Sequence, residues 1–343
     1  MGSKRTMRRV ASSLGVIGIA LLTLWSALVC RYADIVPAGL GAPCAAVLAA
    51  LGAASMWALW RARYFVPLGS VFALAVLAVV HGWTGITPSN DRTWRPEVAE
   101  LARASIDGGR VTVHNIRNFD YRGETDFSPR YYDRTFDVAD LTAVDLFAVY
   151  WMGPAIAHTM VSFSFRDGSQ LAVSIETRKE VGEDYSTILG FFRHYELYYV
   201  VADERDVVRL RTTFREPPED VYLYRVRAPI ENSRRLFLTY MRRLNELAAK
   251  PAFYNTLADN CTTGVWLNTL SNVGHLPLSW KLLASGYVPQ YLYESGRLDD
   301  SLPFAELQSR SLINARARAA AADGDFSRAL RRGLPGFDTV SVP

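Results

Sequence analysis

Cysteine is scarce in this chain: three residues in 343, at positions 30, 44 and 261. Cys30 and Cys44 lie in or beside long apolar runs. Cys261 therefore stands alone in the remaining three-quarters of the sequence and has no disulfide partner there. Metal-site spacing is missing too. No HExxH or HxH pair occurs among His114, His158, His194 and His275, and no second cysteine lies near Cys261, so neither a metal nor a cofactor is expected. Basic–aromatic signatures of nucleic-acid binding are absent. The formal net charge of +4 mostly reflects arginines flanking the apolar runs, so no nucleic-acid partner is expected. Internal repeats are also absent.

Charge itself is missing from three stretches. No charged residue occurs from Val10 to Cys30 or from Ile35 to Trp60, and Phe65 to about Trp83 carries only His81. Each run is close to the ~20 residues that cross a ~30 Å hydrocarbon core as a helix. A cleaved signal peptide would account for the first run but not for the other two. Three spans, about 10–30, 38–60 and 65–84, are the economical reading, with residues 1–88 as a membrane anchor. Pro37, Pro43 and Pro67 sit near the ends of the runs, where they do least harm to a helix. Lys4, Arg5, Arg8 and Arg9 precede the first run and Arg61 and Arg63 follow the second. The first loop has only Arg31, balanced by Asp34. The positive-inside rule then puts the N-terminus in the cytoplasm and residues 89–343 across the membrane. In a bacterium that is a multi-pass protein of the inner membrane with its large domain in the periplasm.

What is present after the linker "TPSND" reads as α+β. "TWRPEVAELARAS" has a helical period. "RVTVHNIRNF", "AIAHTMVSFSF", "QLAVSIETR", "ELYYVVA", "DVVRLRT" and "VYLYRVRA" read as strands. "ENSRRLFLTYMRRLNELAA" is the best helix, with Leu236, Tyr240, Leu244 and Leu247 on one stripe and Pro251 closing it. A short helix is expected from Cys261, and "SLINARARAAAADGDFSRALRR" suggests a polar terminal helix. Consecutive strands with hairpin turns imply an antiparallel sheet with helices packed against it.

The turn "RDGS" sets a register. A three-residue loop, Arg166-Asp167-Gly168, pairs Phe165 with Ser169, Phe163 with Leu171 and Val161 with Val173, which makes one face consistently apolar. A two-residue loop would mix the faces. On the opposite face the preferred register sets His158 across from Glu176, at a Cβ separation of ~5 Å. Such a pair is either a solvated surface contact or a carboxylate that orients a catalytic imidazole. His114 has no obvious acidic partner, while His194 and His275 lie beside aromatic or turn residues; a structural role is favoured for all three.

Cys261 precedes Val265, Trp266, Thr269 and Leu270, which share a helical stripe. Asp259 or Asn260 is positioned to cap that helix and Gly274 to end it. A thiol in the first turn would feel the helix dipole and be favoured as thiolate. The alternative is a small buried apolar residue, common for free cysteine. A lone thiol beyond the membrane, where disulfides form, favours a chemical role.

"AHTMVSFSF", "LAVSIETRKEVGEDYS", "GFFRHYELYYVVADERDVV", "FYNTLADNCTTGVW" and "LLASGYVPQYLYESGRL" occur in this order. Together they closely resemble the periplasmic domain of Lnb-type proteins, named for bacterial enzymes that make lyso-form lipoproteins. The resemblance runs from roughly residue 90 to 335. It implies a circularly permuted papain-like fold with the histidine strand before the cysteine helix, and chemistry shared with NlpC-type peptidases and lecithin:retinol acyltransferase. Carried over by position, it implies Cys261 as nucleophile, His158 as general base and Glu176 as orienting acid. The implied reaction moves a fatty acyl chain through a Cys261 thioester from a membrane lipid or lipoprotein to an amine. The other readings are a cysteine peptidase or amidase acting on cell-wall peptide, and a silent envelope-binding module. The sequence leaves the oligomeric state open.

Overall fold

A computed structural model of the chain describes residues 2–61, 63–322 and 324–337. The last residues of the expected outer domain, 338–343, and the side chains of Lys4, Arg5, Arg8 and Arg9 lie outside the described set. The chain forms two compact units. The first comprises the residues up to Ser89 together with Tyr185–Tyr195. The second comprises Asn90–Asp184 and the residues from Glu196 onward.

Three helices build the first unit: α1 (Gly2–Tyr32), α2 (Gly41–Arg61) and α3 (Phe65–Gly85). Val10–Tyr32, Gly41–Arg61 and Phe65–Gly85 are long and apolar enough to cross a membrane, as the charge-free runs predict. Leu14, Leu21, Leu74 and Leu77 point outward and are largely uncovered, as lipid-facing side chains are. Gly52 lets α2 approach α1 closely, because a Cβ there would lie 2.0 Å from Thr23 Oγ1.

The second unit is built on ten strands: β1 (Arg103–Asp107), β2 (Arg110–Arg117), β3 (Asp120–Tyr121), β4 (Phe127–Ser128), β5 (Tyr131–Asp137), β6 (Leu141–Tyr150), β7 (Ala157–Phe165), β8 (Gln170–Arg178), β9 (Glu196–Ala202) and β10 (Asp220–Val226). The main sheet runs β1-β2-β9-β8-β7-β6-β10, with β5 on β2, while β3 and β4 form a small ribbon. Its pairings are antiparallel except β2 with β9. The α+β, mostly antiparallel expectation therefore holds.

Eight helices complete this unit among the described residues: α4 (Glu204–Arg209), α5 (Ile230–Ala249), α6 (Thr263–Thr269), α7 (Trp280–Leu283), α8 (Val288–Glu294), α9 (Phe304–Arg310), α10 (Asn314–Ala319) and α11 (Phe326–Arg331). Both faces of the central strands are covered, so β6 to β9 are buried along nearly their whole length. On one face Phe163 and Phe165 meet Phe237 and Tyr240 of α5, with ring centroids 5.2–5.6 Å apart. On the other, Met160, Ala172 and Val200 pack with Val207 and Val208 of α4, Ala317 of α10 and Leu330 of α11.

Three expectations differ from the structure. The helical period around Pro96 yields one 3₁₀ turn, Pro96–Val98, and then strand β1, whose hairpin with β2 turns on Gly108 at φ +54°. "DVVRLRT" is helical rather than extended. Asp203 caps α4 by accepting from the Arg205 N–H, and adjacent Val207 and Val208 are both buried, which a helix in a concave seat permits. The polar terminal helix is instead two short helices, α10 and α11, with Ala317 and Leu330 in the core. Strand β6, "LTAVDLFAVY", has no counterpart in the sequence reading because it lacks alternation.

Candidate active site

The hairpin adopts the expected register. Phe163 pairs with Leu171, Val161 with Val173 and Met160 with Ser174. The ladder stops there, two residues short of His158 and Glu176, whose side chains still face each other. They do not bond directly: His158 Nε2 is 3.7 Å from Glu176 Oε1. Ser174 stands between them, its Oγ 2.6 Å from His158 Nε2 while donating to Glu176 Oε1 at 2.7 Å. A hydroxyl has one hydrogen to give. With that hydrogen on the carboxylate, Ser174 accepts from His158, so the ring is the Nε2–H tautomer and Nδ1 holds the free lone pair. Sequence reasoning missed Ser174, although its place two residues before Glu176 puts it on the same face.

Arg211 was also missed. It follows α4 in a π-helical turn, Leu210–Phe214, and its Nη2 donates to Glu176 Oε1 at 2.7 Å from a buried position. Nothing in the sequence signals this contact, since it depends on where α4 docks. Burial alone would raise the Glu176 carboxyl. Arg211, His158 and Arg117, together with the Ser174 hydroxyl, instead hold it well below the usual carboxylate range. Burial, then the nearby Arg211 charge, press His158 down to about 3, so its resting imidazole is neutral.

Cys261 comes to the open end of this ladder. Thr159, the residue after His158, donates from Oγ1 to the Cys261 carbonyl at 2.6 Å. The sulfur lies 3.8 Å from Thr262 Oγ1, and no hydrogen bond joins it to His158 among the described residues. Gly264 lets the first turn of α6 approach the sheet, because a Cβ there would sit 2.9 Å from Ile175 Cδ1. Asn260 rather than Asp259 acts as the cap: its Oδ1 accepts from the Thr262 and Thr263 amides at 2.8 and 2.9 Å. The helix itself starts at Thr263 and ends at Thr269, short of Gly274.

This corrects the expected electrostatics of the thiol. Burial raises Cys261, and the Glu176 charge adds to the rise. The Thr159 backbone and the Thr262 hydroxyl pull it back only in part. The Thr262 and Thr263 amides are committed to Asn260, and the Cys261 backbone offsets burial only in part. Thiol and imidazole are therefore both neutral at rest.

An apolar cavity of about 150 Å³ opens at Thr262, the residue after Cys261. Thr159 and Thr262 belong to its wall, with apolar residues such as Leu146, Leu236, Trp266 and Leu282 and polar ones such as Asn232 and Arg297. Trp266 is fixed there by donating from Nε1 to the Leu276 carbonyl at 2.8 Å. A predominantly apolar wall suits apolar matter.

The other histidines stand elsewhere. His114 does have an acidic partner, Asp133 Oδ2 at 2.7 Å from Nδ1, contrary to expectation; the two meet because β5 pairs with β2. His194 belongs to the first unit, edge-on to Tyr195. His275 lines the cavity wall with its Nδ1 3.3 Å from the Leu276 carbonyl. No group of three or more histidine, cysteine, aspartate and glutamate residues is arranged to hold a metal among the described residues.

No curated protein and no solved structure matches the chain. A match of a different kind covers residues 127–286, the stretch that holds β7, β8, Arg211 and Cys261. With three apolar helices ahead of it, this is a membrane-anchored protein, and the matched residues belong to the Lnb N-terminal periplasmic domain family.

Proposed function

We propose that this protein is a thiol acyltransferase of the bacterial inner membrane, built on a circularly permuted papain-like domain. Cys261 is the nucleophile, His158 the general base, and Glu176 the orienting acid, acting through Ser174. The observation that carries the reading is the double role of Thr159 and Thr262. They hold the nucleophile's backbone and hydroxyl environment at the His158 end of the ladder, and they also wall an apolar cavity suited to a hydrocarbon chain.

Because thiol and imidazole both rest neutral, catalysis begins by general base rather than from a preformed ion pair. The thiol proton passes to His158 Nδ1 as the sulfur attacks the ester carbonyl of a diacyl lipid or lipoprotein. The Cys261 N–H is the oxyanion donor in this reading. Collapse breaks the ester C–O bond, and His158 returns its proton to the leaving alkoxide. The Cys261 thioester is then attacked by an amine such as a lipoprotein N-terminus, forming the amide and restoring the thiol.

The test is mass spectrometry of the purified protein after incubation with diacyl phospholipid or a diacylated lipopeptide. The expected result is a fatty acyl adduct on the Cys261 peptide, absent from Cys261→Ala. No adduct with either donor, together with peptide release from cell-wall fragments, would overturn the reading in favour of a peptidase. A Cys261→Ala strain with an unchanged phenotype would point to a binding module.

A further inference from the structure

The segment Tyr185–Tyr195, "YSTILGFFRHY", lies between β8 and β9 in the chain yet folds with the membrane helices. Its attachment is specific. Phe192 is buried against Val29, Cys30 and Ala33 at the end of α1 and Val79 of α3, and stacks on Tyr32 at 5.9 Å. The Arg193 guanidinium lies over the Trp83 ring at 4.2 Å and donates to the Trp83 carbonyl at 3.1 Å, satisfying the C-terminal end of α3. Arg193 takes φ +57° to do so, a conformation a residue with a Cβ adopts only when its surroundings enforce it.

With Phe192 seated at the ends of two spans, the rest of the segment has little freedom of depth. A 3₁₀ turn covers Leu189–Phe191. At a rise of ~2 Å per residue, Ile188 stands within roughly 8 Å of Phe192. The headgroup zone is itself on the order of 5–8 Å thick on each side. Tyr185, Ile188 and Phe191 are nevertheless uncovered, at 47 %, 50 % and 37 % exposure. The segment contains no carboxylate; its charge is Arg193, with His194 beside it. Exposed tyrosine, isoleucine and phenylalanine with one arginine, at the depth of the span ends, form an interfacial composition.

We propose that Tyr185–Tyr195 is a membrane-surface strap whose outer side, carrying Ile188 and Phe191, is immersed in the headgroup–acyl boundary of the bilayer crossed by α1–α3. The partner is the lipid surface, continuous with the lipid-facing sides of the spans. The strap and the thiol chemistry stand independently, and the test reads no activity.

The full chain is reconstituted in phosphatidylcholine vesicles as parent, Ile188→Trp and, separately, Phe191→Trp. The added indole emission, variant minus parent, is measured with lipids brominated high on the acyl chain and with aqueous iodide. Immersion predicts that roughly half or more of the added emission is lost to bromine while iodide has little effect. Emission quenched by iodide and untouched by bromine in both variants would overturn the proposal.

Discussion

Two histidine–carboxylate pairs stand on this sheet, and they differ in what surrounds them. His114 bonds Asp133 directly at 2.7 Å, with side chains 37 % and 56 % exposed. His158 and Glu176 are 3.7 Å apart, 14 % and 23 % exposed, and are joined through buried Ser174. By distance alone the first pair is the better one. Water screens it, however, and its further partners, Ser105 Oγ at His114 Nε2 and the Asn115 amide donating to Asp133, are exposed as well. The second pair has a defined tautomer because each donor has one acceptor. Its charges are coupled to buried Arg211, and Cys261 lies at its open end. Proximity alone makes a contact, while burial and the link through Ser174 set the second pair apart as the one proposed for catalysis.

The contrast can be tested from its largest consequence downward. Cys261→Ala or His158→Ala is expected to lower acyl transfer by at least ~100-fold, read as thioester yield and turnover. The same readouts stay at the parent level for His114→Ala. Arg211→Met leaves the Glu176 carboxylate buried without its guanidinium, and chemical denaturation is expected to show a loss of about 3 kcal/mol. A parent-like midpoint for Arg211→Met would erase the distinction between the pairs.

Ser174→Ala removes the relay while keeping the fold. Turnover is expected to fall by roughly 10- to 100-fold with little change in KM, because the imidazole loses its orientation but the cavity does not change. Acid stability is the fourth test. Folded His158 titrates near 3, against ~6.5 for an unfolded chain. Above pH 6.5 both states hold a neutral ring. As pH falls from 6.5 toward 3, the unfolded chain binds a proton that the folded one excludes, so stability declines, by on the order of 2 kcal/mol at pH 5. The lowered Glu176 carboxyl acts in the same direction, below its own unfolded value. His158→Gln should flatten the upper part of this slope in pH-dependent denaturation. The smallest effect belongs to Asp133→Ala, for which melting temperature and turnover are expected to match the parent.

Local and periodic features were legible in the sequence. The three spans follow from runs without charge, α5 from the stripe Leu236, Tyr240, Leu244 and Leu247, and the β7–β8 register from the turn Arg166–Gly168. Register alone put His158 opposite Glu176, and the lone cysteine beyond the spans marked Cys261. Segments whose burial is decided by distant partners were misread. Val207 and Val208 look like strand residues until α4 docks on the sheet, and β6 lacks alternation because both its faces are covered.

By itself, then, the sequence determined the membrane topology elements, the antiparallel hairpin and the two side chains that face across it. These depend on hydrophobic period and turn chemistry, which act over a few residues. Tertiary structure alone decided that Ser174 stands between those side chains, that Arg211 holds the carboxylate, and that Cys261 rests neutral with its neighbour Thr262 in the wall of an apolar cavity. It also decided that Tyr185–Tyr195 folds with the spans. Each of these depends on groups brought together from far apart in the chain, where burial and the count of donors and acceptors, not sequence spacing, set the outcome.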